Sequence, residues 1–174
     1  PVGRVASDVL QKGLSFGSEK DLGPTLSGCV QDYTLPGFAT ARVKYLPKFG
    51  KGDEILDASC PAEHVGWDTF AMSRSRSWER VWWVAFREDL TKDEFVDAFG
   101  EKAADAASFA YSEEKDKGFD GEEGNGRARV WEVWDKRARE RFFVAEGGKG
   151  FVKDPEPDPL NLEDFFPCPR PLWA

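Results

Sequence analysis

The run Arg80-Val-Trp-Trp-Val-Ala-Phe-Arg87 constrains the fold more than any other stretch of this sequence. In an extended chain, successive side chains point to opposite faces. Val81, Trp83 and Ala85 then share one face, and Trp82, Val84 and Phe86 the other. Both faces are apolar, so the strand is expected inside a sheet that is covered on both sides. Full burial of Trp82 and Trp83 would contribute on the order of 3 kcal/mol each, and losing either is expected to unfold the domain. A base-stacking platform would interleave basic residues with the rings. Here the bases stand only at the ends, as Arg80 and Arg87.

Two further stretches predict hairpins. In Phe38 to Tyr45, residues Ala39, Ala41, Val43 and Tyr45 alternate with Thr40, Arg42 and Lys44, which marks a strand with one wet face. Pro47 to Asp53 reads as its turn and Glu54 to Cys60 as its partner, with Pro61 as the stop. A short segment around Val65 to Phe70 and a polar loop, Ser73 to Ser77, precede the Trp-rich strand. Arg127 to Asp135 and Arg141 to Ala145 predict the second hairpin, across the basic turn Lys136 to Glu140. Trp131 and Val133 share one of its faces, with Trp134 on the other. Gly147 to Gly150 is expected to break the sheet.

Helical spacing appears in three places. Residues 4–16 carry Val5, Val9, Leu10 and Phe16, weakened by Gly13. Ser18 or Asp21 could cap a second helix bearing an apolar stripe of Leu22, Leu26, Val30 and Tyr33. Pro24 suits its first turn and Pro36-Gly37 its end. Thr91-Lys-Asp-Glu94 has the form of a capping box, in which the Thr hydroxyl accepts a backbone N–H and the Glu reciprocates. Phe95 and Phe99 follow one turn apart, Gly100 suits the left-handed C-terminal position, and residues 101–111 predict another short helix.

The fold class expected is therefore α+β: a mostly antiparallel sheet built from hairpins, with an N-terminal helical pair and a central capped helix. Residues 1–36 form the helical segment. Residues 37–153 form the sheet, with inserted helices at about 91–111 and a mobile acidic loop at 112–126. Within residues 112–124 the loop holds six acidic and two basic side chains, a charge of −4, and reads as solvated. Residues 154–174 form a Pro-rich extended tail, with six Pro between 154 and 171. Leu160, Leu162, Phe165, Phe166 and Arg170 are its candidate inter-subunit or inter-domain contacts. Left exposed, Phe165 and Phe166 would make an apolar patch, so residues beyond 174 are expected to cover them.

The 174 residues carry a net charge of −8. That argues against a protein that grips nucleic acid by neutralising phosphates, though not against one that lets DNA slide past. Catalytic signals are weak. His64 is the single histidine, and Glu63 cannot orient it in a strand because adjacent side chains diverge. The chain lacks HExxH, GxSxG and Walker A motifs, and a GxGxxG after a strand. Asp116, Asp120 and Glu122 do not have EF-hand spacing. Cys29, Cys60 and Cys168 form no CxxC pair and read as free thiols of a reducing cytoplasm. No catalytic, cofactor-binding or metal-binding residue is expected. No apolar run approaches the length of a membrane span. The start at Pro1 and the end just after a Pro-rich stretch predict a piece of a longer protein.

Several motifs, taken in order, resemble one family. Asp32-Tyr-Thr-Leu-Pro-Gly37 leads into Ala41-Arg-Val-Lys-Tyr45. Trp67-Asp-Thr-Phe70, Trp78, Val81-Trp-Trp-Val-Ala85, Leu90-Thr-Lys-Asp-Glu94 and Phe99-Gly100 follow. Val130-Trp-Glu-Val-Trp-Asp-Lys136, Val144-Ala-Glu-Gly147, Asp158-Pro-Leu160 and Phe165-Phe-Pro-Cys-Pro-Arg-Pro-Leu172 complete the series. The succession spans residues 29–172 and resembles the portal proteins of short-tailed, double-stranded DNA bacteriophages and related prophages. Phe38-Ala39 departs from the basic residue and Gly often found there in that family. The resemblance implies a non-enzymatic structural subunit in a ring, usually of twelve copies, through which DNA passes without sequence-specific binding. It implies terminase, scaffold, capsid and tail or head-completion proteins as partners. It places the chain in the virion, and in the bacterial host cytoplasm during assembly. The wing-type region is the part of the subunit that this chain resembles. Two other classes stay open: a free-standing module that holds a sugar or peptide on surface aromatics, and a hydrolase with a carboxylate pair.

Overall fold

The computed structural model describes residues 22–50, 54–105, 107–109, 126–158 and 163–174. The helix expected over residues 4–16, the caps at Ser18 or Asp21, the acidic loop up to residue 125, and Leu160 and Leu162 lie outside the described residues. The fold is α+β, and the strand pairs are antiparallel. No helix among the described residues is long and apolar enough to cross a membrane. The chain forms two compact units. Unit 1 contains the residues up to Asp68 together with Pro167–Ala174, and unit 2 contains Thr69–Phe166. The N-terminal helical segment and the first expected hairpin therefore share one unit, which the end of the tail completes.

In unit 1, helix α1 (Leu22–Thr34) precedes strands β1 (Phe38–Val43), β2 (Leu46–Phe49), β3 (Ile55–Ser59) and β4 (Ala62–Val65). The expected pairing of Phe38 to Tyr45 with Glu54 to Cys60 is corrected. β1 pairs with β4, and β2 pairs with β3. The two ladders are parts of one interrupted hairpin, because the register carries across the gap: Val43 stands opposite Ala62 and Leu46 opposite Ser59. Pro61 has no N–H to give the ladder. Its carbonyl still accepts from Lys44 N at 3.0 Å. Proline thus interrupts the pairing without ending it, and the expected turn at Pro47 to Phe49 is strand. The end of the chain adds a further strand, β10 (Leu172–Trp173), on the other side of β1. The apolar stripe of α1 does not face this sheet: Leu26 is 61% and Val30 66% exposed. A polar row at the same helical spacing, Thr25, Cys29 and Asp32, bonds to the β1 and β4 region instead.

Unit 2 is a five-stranded sheet in the order β5-β6-β7-β8-β9, with β5 (Phe70–Met72), β6 (Trp83–Leu90), β7 (Ala128–Asp135), β8 (Glu140–Ala145) and β9 (Phe151–Pro157). The second hairpin forms as expected, Asp135 facing Glu140 and Val130 facing Ala145. Gly147 to Gly150 turns the chain without ending the sheet, for β9 follows directly. Pro155 and Pro157 fit there because β9 is an edge, where a missing N–H breaks no ladder. One face of the central strands carries Val84, Phe86, Ala128, Val130 and Trp134, all buried. Helices α2 (Lys92–Phe99) and α3 (Glu101–Ala104) cover one end of it, where Phe95 and Ala104 cluster with Ala128 and Val130. α3 stops at Ala104, well short of the helix expected to residue 111, and residues 107–109 are irregular.

Trp82 and Trp83 are half-buried rather than core, edge-to-face at 6.2 Å. Trp82 precedes the strand, which runs on to Leu90. The deeply buried indole of the unit is Trp134, 2% exposed.

The capping box of α2 is complete. Glu94 N donates to Thr91 Oγ1 at 3.4 Å, and Thr91 N donates to Glu94 Oε2 at 2.9 Å. The Thr91 backbone N–H, then its hydroxyl, hold the Glu94 carboxyl below its ordinary pKa. A lowered folded-state pKa gives stabilisation that is present above the ordinary carboxylate range and lost as pH falls through the lowered value. Thr91→Ala should cost about 1 kcal/mol and flatten the acid limb of the stability profile. Urea melts at several pH values check both, and unchanged midpoints would remove the cap from the account. Gly100 follows α2 at φ +85°, and its N–H reaches Val96 O at 2.7 Å. Its ψ of 163° is extended, so it turns the chain into α3 by a route other than the left-handed helical cap.

Candidate functional site

One end of the unit 2 sheet gathers charge and aromatic rings. The loop Ser73 to Trp82 and the turn after β7 meet there through backbone bonds: Lys136 N donates to Trp82 O at 2.8 Å, and Ser73 N donates to Trp83 O at 3.0 Å. Ser73 is buried, and its hydroxyl accepts from Trp82 N at 2.9 Å. A 3-10 turn, Trp78–Arg80, sits inside the loop and is closed by Val81 N on Trp78 O. Trp78 packs on Phe166 at 5.5 Å between centroids, and Lys136 Nζ lies over the same ring at 5.4 Å. The Arg137 guanidinium stacks on Trp82 at 4.5 Å. Asp135 Oδ1 accepts from Arg137 N at 2.8 Å and Ala138 N at 3.2 Å, which fixes the turn that presents these cations.

This end is basic in an acidic chain. Residues 73–82 and 135–140 hold six cationic side chains (Arg74, Arg76, Arg80, Lys136, Arg137 and Arg139) and three acidic ones (Glu79, Asp135 and Glu140), a local charge of +3 against −8 for the whole. Arg139 pairs with Asp158 at 2.9 Å. Among the described residues, the ion pairs do not include Arg74, Arg76, Arg80, Lys136 or Arg137, and the arginines of this set are exposed. The sequence alone hides the arrangement, because the bases and the rings that they approach lie far apart along the chain. The available signals are the alternation Arg74-Ser-Arg76 and the basic turn Lys136 to Glu140.

Unit 1 holds the single histidine in a structural link. His64 Nε2 lies 2.9 Å from Asp32 Oδ2, and the same oxygen accepts from Trp67 N at 3.2 Å. Asp32 on α1, not the neighbouring Glu63, orients the ring. Glu63 instead pairs with Lys44 at 3.0 Å. Cys29, on the same helix, donates its thiol to Thr40 O at 3.4 Å. Burial raises the Cys29 pKa, and the charge of Asp32 raises it further. That is the reverse of what activates a thiol nucleophile. The His64 ring rests against Gly28: an added Cβ would come 2.8 Å from its Cγ and Nδ1. Gly28→Ala ordinarily gains up to about 1 kcal/mol in a helix. Here the overlap should reverse the sign and lower stability by about 1 kcal/mol, read as a fall in urea midpoint. A higher midpoint would show that the ring is not held there.

A cavity of about 330 Å³ in unit 2 is lined by Phe99, Lys102, Lys149, Phe151 and small residues, with no carboxylate, His or Cys among them. Among the described residues, no group of three or more His, Cys, Asp or Glu could hold a metal.

No family model matches the chain, and no curated protein matches it. The site is therefore read from its own geometry.

The tail residues separate. Phe165 is 0% and Phe166 6% exposed. Phe165 packs edge-on against Trp134 at 5.6 Å, and the Arg139 guanidinium lies 5.4 Å above its ring. The expectation that residues beyond 174 cover this pair is corrected: both are covered within the chain, so they offer no free apolar patch. Arg170 is exposed in unit 1. Beside it Cys168 is buried, which pushes its thiol up to about 12, and Pro167 O accepts from Val43 N at 2.8 Å. The tail motif thus supplies core residues to unit 2 and backbone pairing to unit 1.

Proposed function

We propose that this chain is part of a portal subunit of a short-tailed double-stranded DNA phage or related prophage, and that its role is structural. The observation that carries the reading is the ordered succession of motifs over residues 29–172, ending in Phe165-Phe-Pro-Cys-Pro-Arg-Pro-Leu172. On this reading the full subunit forms a ring at one capsid vertex. DNA passes through the ring, and terminase, scaffold, capsid and tail or head-completion proteins dock on it. The protein belongs in the virion, and in the host cytoplasm during assembly.

The distribution of apolar surface supports a role in protein packing. Among the described residues, twelve of the thirteen exposed large hydrophobics lie in unit 1, and Phe151 alone lies in unit 2. Apolar area concentrated in this way is what neighbouring protein covers in an assembly. The histidine is tied to Asp32, and of the three thiols Cys29 is hydrogen-bonded, Cys168 is deeply buried and Cys60 is exposed.

The intact reading frame tests the proposal. It should encode several hundred further residues on both sides, with a large terminase gene nearby. A frame that starts near Pro1 and stops near Ala174 would contradict the proposal. Trp67 and Trp173, each 56% exposed, favour the sugar- or peptide-binding module as the second reading. Binding of this chain to a glycan or peptide array, lost on Trp67→Ala, would select that alternative.

A further inference from the structure

We propose that the basic end of unit 2 is a contact surface for the phosphate backbone of duplex DNA. The inference rests on the portal reading and names the residues of this chain that meet duplex DNA. Three observations carry it. First, the charge is local: even with Asp158, the partner of Arg139, counted in, this end carries +2 in a chain of −8, so the acidic remainder prevents tight capture while this end attracts phosphate. Second, the surface is rich in arginine, whose planar fork of donors fits phosphate oxygens better than a point charge does. Third, the Arg137 guanidinium lies over the Trp82 ring, 4.5 Å from its centroid. A ring contact uses none of the five guanidinium N–H donors as a conventional hydrogen bond, so they are left for phosphate oxygens.

The loop that carries Arg74, Arg76 and Arg80 is held to the sheet by the Ser73 and Trp82 bonds, and the turn that carries Arg137 is held by Asp135. The cations are therefore presented from ordered backbone, with little further ordering to lose on contact. The cations stand on a loop and a turn, not on a long helix or a strand ribbon that could enter a groove, so the contact is made to the backbone and is independent of sequence.

The test is fluorescence anisotropy of the 174-residue chain with a short labelled duplex of mixed sequence, titrated at several salt concentrations. With three or four phosphates engaged, log affinity should fall against log salt with a slope of about −2.7 to −3.6. That is a loss of about 40- to 150-fold between about 50 and 200 mM salt. A second duplex of different sequence should bind equally. Arg74→Ala with Arg76→Ala should make the slope shallower by about 2, and Arg137→Ala by about 1. Lys153→Ala, on the β9 edge, should leave it unchanged. The side chains of Arg74 and Arg76 are exposed and enter no ion pair among the described residues, so the melting temperature of that double variant should not move, whereas Arg137→Ala gives up the contact with Trp82 and should lower it slightly. Absence of duplex binding at about 50 mM salt, or slopes equal to wild type in the arginine variants, would overturn the proposal. Labelled poly-glutamate binding as tightly as the duplex would overturn it too and assign the surface to an acidic protein. Failure here leaves the reading-frame test untouched. Conversely, a frame of only this length would sink the portal reading without changing the binding curves.

Discussion

Trp134→Ala is expected to destabilise unit 2 by about 3–5 kcal/mol, a large fraction of the stability of an ordinary domain. The indole is 2% exposed and packs against Phe165, and its Nε1 donates to Glu132 Oε1 at 3.1 Å. Arg141 lies over the same ring at 5.7 Å and pairs with Glu132 and Glu156. Removing the indole therefore opens a void beneath a charged network as well as deleting contact area. Burial raises the Glu156 carboxyl, but hydrogen bonds from Lys153 and Arg141 outweigh it and hold the group below its ordinary pKa. Trp82→Ala, at a half-buried position, should cost clearly less. Chemical denaturation of the two variants checks the ranking, and a larger loss for Trp82→Ala would mean that the core lies where the Trp-Trp pair suggests.

That ranking shows where the sequence is legible. The capping box Thr91 to Glu94 and the hairpin from Ala128 to Ala145 can be read directly, because each depends on residues close in the chain. The strand around Val84 is likewise legible from its double apolar face. Which of several tryptophans is buried is not, because alternation gives the parity of a residue and not what covers it. Val84, Phe86 and Trp134 lie on the face covered by α2, α3 and the tail, whereas Trp83 lies on the other. Pro61 misleads for a different reason. A missing N–H is a local property, but the register across it is set by the pairs on either side. The link between Asp32 and His64 is invisible in sequence, since a carboxylate on a helix and an imidazole on a strand have no spacing rule. The same is true of Arg137 on Trp82, which turns scattered bases and rings into one surface.

Phe165→Ala is the second large effect, also about 3–5 kcal/mol. The ring is fully buried between Trp134 and Phe166. Its backbone has φ +69°, the left-handed region, which a residue with a Cβ adopts only at a cost of about 1 kcal/mol or more. Packing of the aromatic ring outweighs that strain in the native chain. The two contributions can be separated by a second substitution: Phe165→Gly loses the same ring but relieves the backbone, so it should be no less stable than Phe165→Ala, against the usual order. Comparison of the two urea midpoints decides this. Phe165→Gly falling well below Phe165→Ala would show that the left-handed turn contributes nothing to the energetics.

A tail that contributes core residues and strand pairing, rather than a loose adhesive end, alters the picture of how this chain meets its neighbours. On the portal reading, the surface proposed for assembly is the apolar area of unit 1, with Leu26, Val30, Leu56 and Leu172 exposed. The basic end of unit 2 is the surface proposed for duplex DNA. Both assignments presuppose that many copies surround a channel. Electron microscopy of the intact subunit tests this most directly. The account predicts closed rings with a central opening wide enough for duplex DNA. A monodisperse monomer, at concentrations where the protein is folded and soluble, would contradict it.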